Sequence, residues 1–194
     1  MANAAQARGR LVVVSGPSGV GKSTIARQVA ARTGAELSVS ATTRPPRPGE
    51  VDGHDYRFVD RAAFDAMVRQ GELLEWAQVH GNCYGTPRGP VCQALEAGRT
   101  VILEIDVQGG MQVAGQMPSA VGVLIVPPSD IELARRLNGR GTDSDEVVRR
   151  RLAKAREEIA TAQASGAYQH TVVNDSLEAA VEQVARIVEE PVDS

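Results

Sequence analysis

Leu11-Val12-Val13-Val14-Ser15-Gly16-Pro17-Ser18-Gly19-Val20-Gly21-Lys22-Ser23-Thr24 is the stretch from which the rest of the chain is read. Leu11 to Val14 is a continuous apolar run, mostly β-branched and bounded by Ser-Gly-Pro, which describes a central parallel strand buried on both faces. Gly16 to Ser23 then spells Gly, four residues, Gly-Lys-Ser. Beyond Lys22, Ile25 and Val29 lie four apart with Ala26 and Ala30 beside them, the spacing of a helix from Lys22 to about Arg32 that Gly34 closes. Strand, glycine loop and helix in this order make a phosphate-binding loop. Backbone N–H groups curl round the phosphates, and the positive end of the helix faces the same anion. Gly16, Pro17, Ser18, Gly19, Val20, Gly21, Lys22, Ser23 and Thr24 are therefore the candidate residues for a nucleoside triphosphate. Lys22 reaches its β- and γ-phosphates, and Ser23 offers its hydroxyl to Mg²⁺.

The buried-strand pattern returns at Thr100–Ile105 and Val121–Val126, and in shorter form at His170–Val173 before a final helix from Ser176 to Glu189. Strands alternating with helices predict an α/β fold, a phosphate-loop parallel sheet flanked by helices. One of these strands, Val101-Ile102-Leu103-Glu104-Ile105-Asp106, ends in acid at the edge where such sheets bind ligands. Asp106 is a candidate to orient Mg²⁺ through water; alternatively Glu104 and Asp106 only accept hydrogen bonds from neighbouring backbone or an arginine.

Between about residues 38 and 97 the rhythm changes. Thr42-Thr43-Arg44-Pro45-Pro46-Arg47-Pro48-Gly49 is a turn-rich segment, followed by strand-like pieces at Tyr56–Val59 and Leu73–Val79 and a helix from Ala62 to Gln70 behind Asp60 as N-cap. This predicts a small mixed α/β subdomain inserted into a core of residues 10–37 and 98–190. Ser129-Asp130-Ile131-Glu132 is a capping box opening a helix that ends near Gly139. The polar connection Gly139–Ser144, between arginine-rich helices, is expected to move as a short helical lid spanning about residues 136–151. Residues 1–9 are expected to be disordered.

The chain has 194 residues, 42% of them hydrophobic and 23% charged, which suits one soluble domain with an insertion and excludes a membrane span. MANAAQARGR lacks the apolar core of a secretion signal, and Cys83 and Cys92 match neither a disulfide framework nor a metal site, so a cytoplasmic location is expected. A net charge of −3 argues against a nucleic-acid partner. Basic residues cluster locally instead, at Arg44 and Arg47 and at Arg135, Arg136, Arg140, Arg149, Arg150 and Arg151, where a small polyanion would be attracted. Whether the chain is a monomer or a homo-oligomer is left open by the sequence.

A phosphate loop alone identifies a triphosphate binder; a kinase needs a second site. The insertion supplies Ser40, Arg44, Arg47, Tyr56, Glu75, Tyr84 and Thr86, and arginines hold a monophosphate in bidentate fashion while tyrosine hydroxyls add neutral donors. Here the chain resembles the guanylate kinases, through Ser38 to Tyr56 (SVSATTRPPRPGEVDGHDY), Leu73 to Thr86 (LLEWAQVHGNCYGT), Leu103 to Gly109 (LEIDVQG), Gly139 to Asp143 (GRGTD) and Val173 to Asp175 (VND), over about Arg10 to Glu189.

The resemblance implies ATP and GMP as substrates, ADP and GDP as products, dGMP as a further acceptor and Mg²⁺ as cofactor. Guanine presents two adjacent donors, N1–H and the 2-amino group, so the single carboxylate of Glu75 accepts from both, whereas adenine offers a lone pair there and is repelled. Ser40 and Thr86 resemble the family's hydroxyls at the base, and Arg44, Arg47, Tyr56 and Tyr84 its ligands for the GMP phosphate, with Glu104 and Asp106 bordering the same acceptor site. Arg136, Arg140 and Arg151 match the lid arginines and, with Lys22 and Arg44, would share the charge of the transferring group. At 100° per residue only one of Arg149, Arg150 and Arg151 is expected to face the site. Asn174 resembles a contact to the adenine region, or is a plain turn residue. His54, His80 and His170 are expected to be solvated or structural. The sequence departs from the family pattern at Cys83, where an aromatic residue is common, and at Gly110, where a bulkier one is usual. Two readings compete: a peptide-binding scaffold without catalysis, and a kinase for another small phosphorylated acceptor.

Overall fold

The structure, a computed structural model, describes residues 9–79, 81–138 and 145–190. Of the segment expected to be disordered only Gly9 is described, its N–H donating to the Leu95 carbonyl at 2.8 Å. His80, and Arg140 with the rest of the 139–144 connection, lie outside the described residues.

Leu11–Ser15 (β1) is buried throughout because it is the middle strand of a five-stranded, all-parallel sheet. From edge to edge the sheet runs Glu36–Leu37 (β2), Val101–Glu104 (β7), β1, Val121–Val126 (β8) and His170–Val173 (β9). The period of two along β1 sorts its side chains. Val12 and Val14 pack with Ile25 and Val29 of the helix Lys22–Thr33 (α1) and with Val184 and Val188 of Leu177–Glu189 (α7). Leu11 and Val13 face the other way, toward Val91 of Arg88–Glu96 (α3) and Val113 of Val107–Gln116 (α4). Both layers need apolar side chains, hence the unbroken Leu-Val-Val-Val; each such burial stabilises by roughly 1.5–3 kcal/mol. The register pairs Val14 with Glu104 and Ser15 with Leu124, so the acidic end of β7 arrives level with the exit of β1.

A second, mixed sheet has the order Arg57–Phe58 (β4), Ala41–Thr42 (β3), Asn82–Pro87 (β6), Leu73–Val79 (β5). Its core joins Ala41, Leu73 and Cys83 to Phe64 and Met67 of the helix Arg61–Arg69 (α2). Cys83 is thus a small core residue under α2. Asp60 caps α2 as expected, accepting from the Ala63 N–H at 2.7 Å, and the helix starts one residue earlier and ends one earlier than its sequence spacing suggests.

Two further helices, Asp130–Asn138 (α5) and Asp145–Ser165 (α6), flank the undescribed connection. The capping box at α5 is half made: Ser129 Oγ accepts from the Glu132 N–H at 3.2 Å, but the Glu132 carboxylate turns to Arg135 and Arg136, both at 2.7 Å. Those guanidinium groups, Arg135 foremost, hold its pKa down at about 2. Among the described residues no helix is long and apolar enough to cross a membrane.

Gly110 has a packing cause. A Cβ at that position would lie 2.1 Å from the Tyr168 hydroxyl and 2.8 Å from Ser15 Oγ. Tyr168 donates to the Val107 carbonyl at 2.9 Å, and burial pushes its phenol up to about 12. The Gly110→Ala substitution is therefore expected to destabilise the fold by about 1–3 kcal/mol, a Tm loss of roughly 2–12 °C. Tyr168→Phe in the same chain should recover part of that loss, because it removes the clashing oxygen. Thermal melts of the single and double variants check this, and strict additivity of the two losses would contradict it.

Candidate active site

The phosphate loop is built around a helix that lacks the usual N-terminal stopper. Asp60, Asp106 and Ser176 cap α2, α4 and α7 with side-chain oxygens. At α1 the N-cap is Gly21, with φ 97°, no side-chain cap and no acid in the first turn. A helix start of this kind can receive an external anion on its N–H groups and positive end. Gly21 also leaves room for Asn174, whose amide nitrogen would be 2.6 Å from a Cβ there.

Lys22 folds back over the loop, its ammonium donating to the carbonyls of Gly16 at 2.7 Å and Pro17 at 3.1 Å. Burial pulls its pKa below the usual lysine range, opposed by Glu104, Glu158 and Asp106. Ser23 Oγ donates to Glu104 Oε1 at 2.9 Å, the contact that the strand register prepares. Thr24 is exposed on the first turn of α1, Ser18 and Gly19 at the loop tip are exposed, and Val20 is buried. Asn174, only 5% exposed, donates from Nδ2 to the Val20 carbonyl at 2.7 Å, so its amide nitrogen secures the loop from the end of β9. Its backbone carbonyl accepts from Arg136 Nη2 at 2.9 Å. Arg151 reaches the loop, donating to Ser18 Oγ at 3.2 Å, while Arg149 and Arg150 are exposed on α6.

The second cluster forms where the mixed sheet meets α4. The β5–β6 pairing slips between Leu73 and Glu75, a bulge that breaks the alternation and leaves Leu73, Leu74 and Glu75 all buried. Glu75 is 5% exposed and accepts from the Thr86 hydroxyl at 2.6 Å. Its other oxygen faces Gly109, where a Cβ would sit 2.7 Å away. Burial lifts the Glu75 pKa to about 7; bonds from the Thr86 hydroxyl and backbone N–H oppose the rise, and the negative charge of Asp106 adds to it. Asp106 Oδ1 accepts from the Gly109 N–H at 2.7 Å as the cap of α4, which realises one of the bonds that the plainer reading of this acid anticipated.

Around them, Ser40 is half-buried at the start of β3. Arg44 lies with its guanidinium carbon 5.4 Å from the Tyr56 ring centre, and Tyr56 meets Tyr84 edge-on at 6.1 Å. Burial, then the charge of Glu104, raises the Tyr56 pKa. Arg44 Nη2 donates to Glu50 Oε1 at 2.8 Å, while Arg47 has an exposed side chain and donates its backbone N–H to Glu50 Oε2 at 2.7 Å.

Three contributors were not singled out from the sequence: Glu50, Gln112 and Gln116. Glu50 sits in a solvated-looking loop. Gln112 and Gln116 clip β5 to α4: Gln112 accepts from the Trp76 N–H at 3.2 Å and donates to the Trp76 carbonyl at 3.1 Å, and Gln116 donates to the Leu74 carbonyl at 2.8 Å. Glutamines four apart on a helix could have been noticed as a shared face, but not matched to a strand on another sheet.

A family model described as guanylate kinase matches residues 8–191. The chain is 56% identical over 184 residues to a guanylate kinase of Gloeobacter violaceus, covering 94% of this chain and 88% of that protein. It is 53% identical to one of Nocardia farcinica, with 93% of each covered. A crystal structure of guanylate kinase from Anaplasma phagocytophilum superposes with a TM-score of 0.72 at 32% identity, over 94% of this chain and 85% of that one. With a glycine loop closing the middle strand of one sheet and a buried carboxylate on the other, and with these matches over nearly its whole length, the chain belongs to the guanylate kinase family.

Proposed function

We infer that the protein transfers the γ-phosphoryl group of ATP to GMP, giving ADP and GDP. The observation that carries the reading is Glu75: a carboxylate taken out of water, bonded by the hydroxyl and backbone N–H of Thr86, with no cation among the described residues to offset its charge. A buried acid of this kind is satisfied by a ligand that brings N–H donors, and guanine brings two adjacent ones. Ser40 and Thr86 complete the base site beside Glu104 and Asp106, while Arg44, Arg47, Tyr56 and Tyr84 hold the acceptor phosphate. By the family resemblance, dGMP is read as a further acceptor.

On the donor side, residues Gly16 to Thr24 wrap the triphosphate, and Lys22 exchanges the Gly16 and Pro17 carbonyls for phosphate oxygens. Asn174 holds the loop beside the nucleotide. The acceptor phosphate is already ionised at neutral pH, so the transfer asks for alignment and charge neutralisation rather than a general base. Lys22, Arg44, Arg136, Arg140 and Arg151 provide that charge. Mg²⁺ would be held by Ser23 and Asp106, whose hard oxygens suit it; among the described residues no group of three or more potential metal-ligating side chains forms a cage, as fits an ion held largely by phosphates and water. The ion supplies additional neutralisation of the transferring charge. The free Cys83 and Cys92 accord with a cytoplasmic enzyme.

Supplying MgATP with each nucleoside monophosphate in turn tests the reading: ADP should form rapidly with GMP and slowly or not at all with AMP and UMP. Preference for AMP or UMP would overturn the acceptor, and no turnover with any would favour a scaffold.

Glu75→Gln should lower kcat/KM for GMP by more than about tenfold and leave KM for ATP unchanged, since an amide has one acceptor oxygen where the carboxylate has two. The pH profile supplies a second check. The carboxylate needed for guanine appears as pH rises through about 7, so kcat/KM for GMP should climb between about pH 6 and 8, and that part of the slope should vanish in Glu75→Gln. An identical profile in the two proteins would contradict the role.

A further inference from the structure

We propose that Glu50 is a positioning residue for the acceptor nucleotide, its carboxylate holding the guanidinium of Arg44 in the attitude that receives the phosphate. This rests on the reading that Arg44 binds the GMP phosphate. The loop from Thr43 to Val51 contains Pro45, Pro46 and Pro48, which have no N–H to donate, so backbone bonding alone defines its shape poorly.

Glu50 supplies what is missing. Its own N–H donates to the Arg47 carbonyl at 3.0 Å, closing a turn, while its carboxylate accepts from the Arg47 N–H at 2.7 Å and from Arg44 Nη2 at 2.8 Å. Arg44 is tied at three further points: Nη1 donates to the Pro45 carbonyl at 2.8 Å, its backbone N–H donates to Thr42 Oγ1 at 3.1 Å, and its guanidinium lies by the rings of Tyr56 and Phe58. The Arg44 and Glu50 side chains are only 12% and 19% exposed, against 61% and 40% for the surface pair Arg61 and Asp65. A shielded, multiply anchored ion pair restricts a long side chain where an open one does not.

Charge and position make opposite demands, which gives the inference a sign. Glu50 places a negative charge beside a loop that binds a doubly negative phosphate, so on charge alone its removal would tighten GMP binding. If its task is to orient Arg44, removal weakens binding.

Steady-state kinetics of Glu50→Gln, Arg44→Ala and the double variant decide between them. Glu50→Gln should raise KM for GMP about tenfold with KM for ATP and the melting temperature little changed, and in the Arg44→Ala background it should add less than about twofold, because the group it positions is gone. An unchanged or lowered KM for GMP in Glu50→Gln, while Arg44→Ala raises it, overturns the inference and leaves the function standing. Equal increases in KM for GMP and ATP with a lower melting temperature would mark a purely structural role and also overturn it. If Arg44→Ala leaves KM for GMP unchanged, the role of Arg44 falls, and that of Glu50 with it.

Discussion

Glu75 is held out of water between Thr86 and Gly109, and neighbouring elements are arranged around that burial. Raising its pKa from 4.5 to about 7 costs the free protein on the order of 3 kcal/mol once the group is ionised. The unfolded chain releases this proton near 4.5 and the folded one near 7, so the group erodes stability as pH rises between those values, and the whole cost is present above them. A ligand offering N–H donors relieves it. On the proposed reading this cost is what discriminates between bases, because one with a lone pair at the same place leaves the carboxylate unsatisfied.

That arrangement requires two sheets to meet at one point. Glu75 comes from the mixed sheet and Asp106 from the end of the parallel sheet, and glycine at 109 admits the Glu75 oxygen where any side chain would exclude it. Gln112 and Gln116 then bind β5 to α4 through its backbone groups, fixing the height of Glu75 against Asp106. On the donor side the economy is the reverse. The α1 terminus is left without a cap, and Ser23, Glu104 and Lys22 make internal contacts that a nucleotide would replace.

Much of this was legible in the chain. Runs such as Leu11 to Val14 announce strands buried on both faces, and Asp60 and Ser176 announce helix starts, because those signals are local. The two-residue strands β2, β3 and β4 were illegible as strands in their observed limits, since a pair of residues becomes a strand only through its partner. Helix α4 was also unannounced: it carries Gly109, Gly110 and Gly115, poor helix formers, and depends on the Asp106 cap and on packing. Glu75 was recognisable by resemblance, but its burial was not, because the bulge that turns it inward is a property of the β5–β6 pairing. Glu132 shows the opposite case, a sound local pattern whose carboxylate was drawn away by two arginines one turn on.

If the buried carboxylate of Glu75 reads the guanine base, its own titration must respond to GMP. With the side-chain carboxyls labelled with ¹³C and the Glu75 signal assigned through Glu75→Gln, its pKa can be followed by NMR in the free protein and with saturating GMP. The expected value is about 7 in the free protein, falling by roughly one to two with GMP, as two N–H donors stabilise the charged form. An ordinary carboxylate titration in the free protein, or a value that GMP leaves where it was, would contradict it.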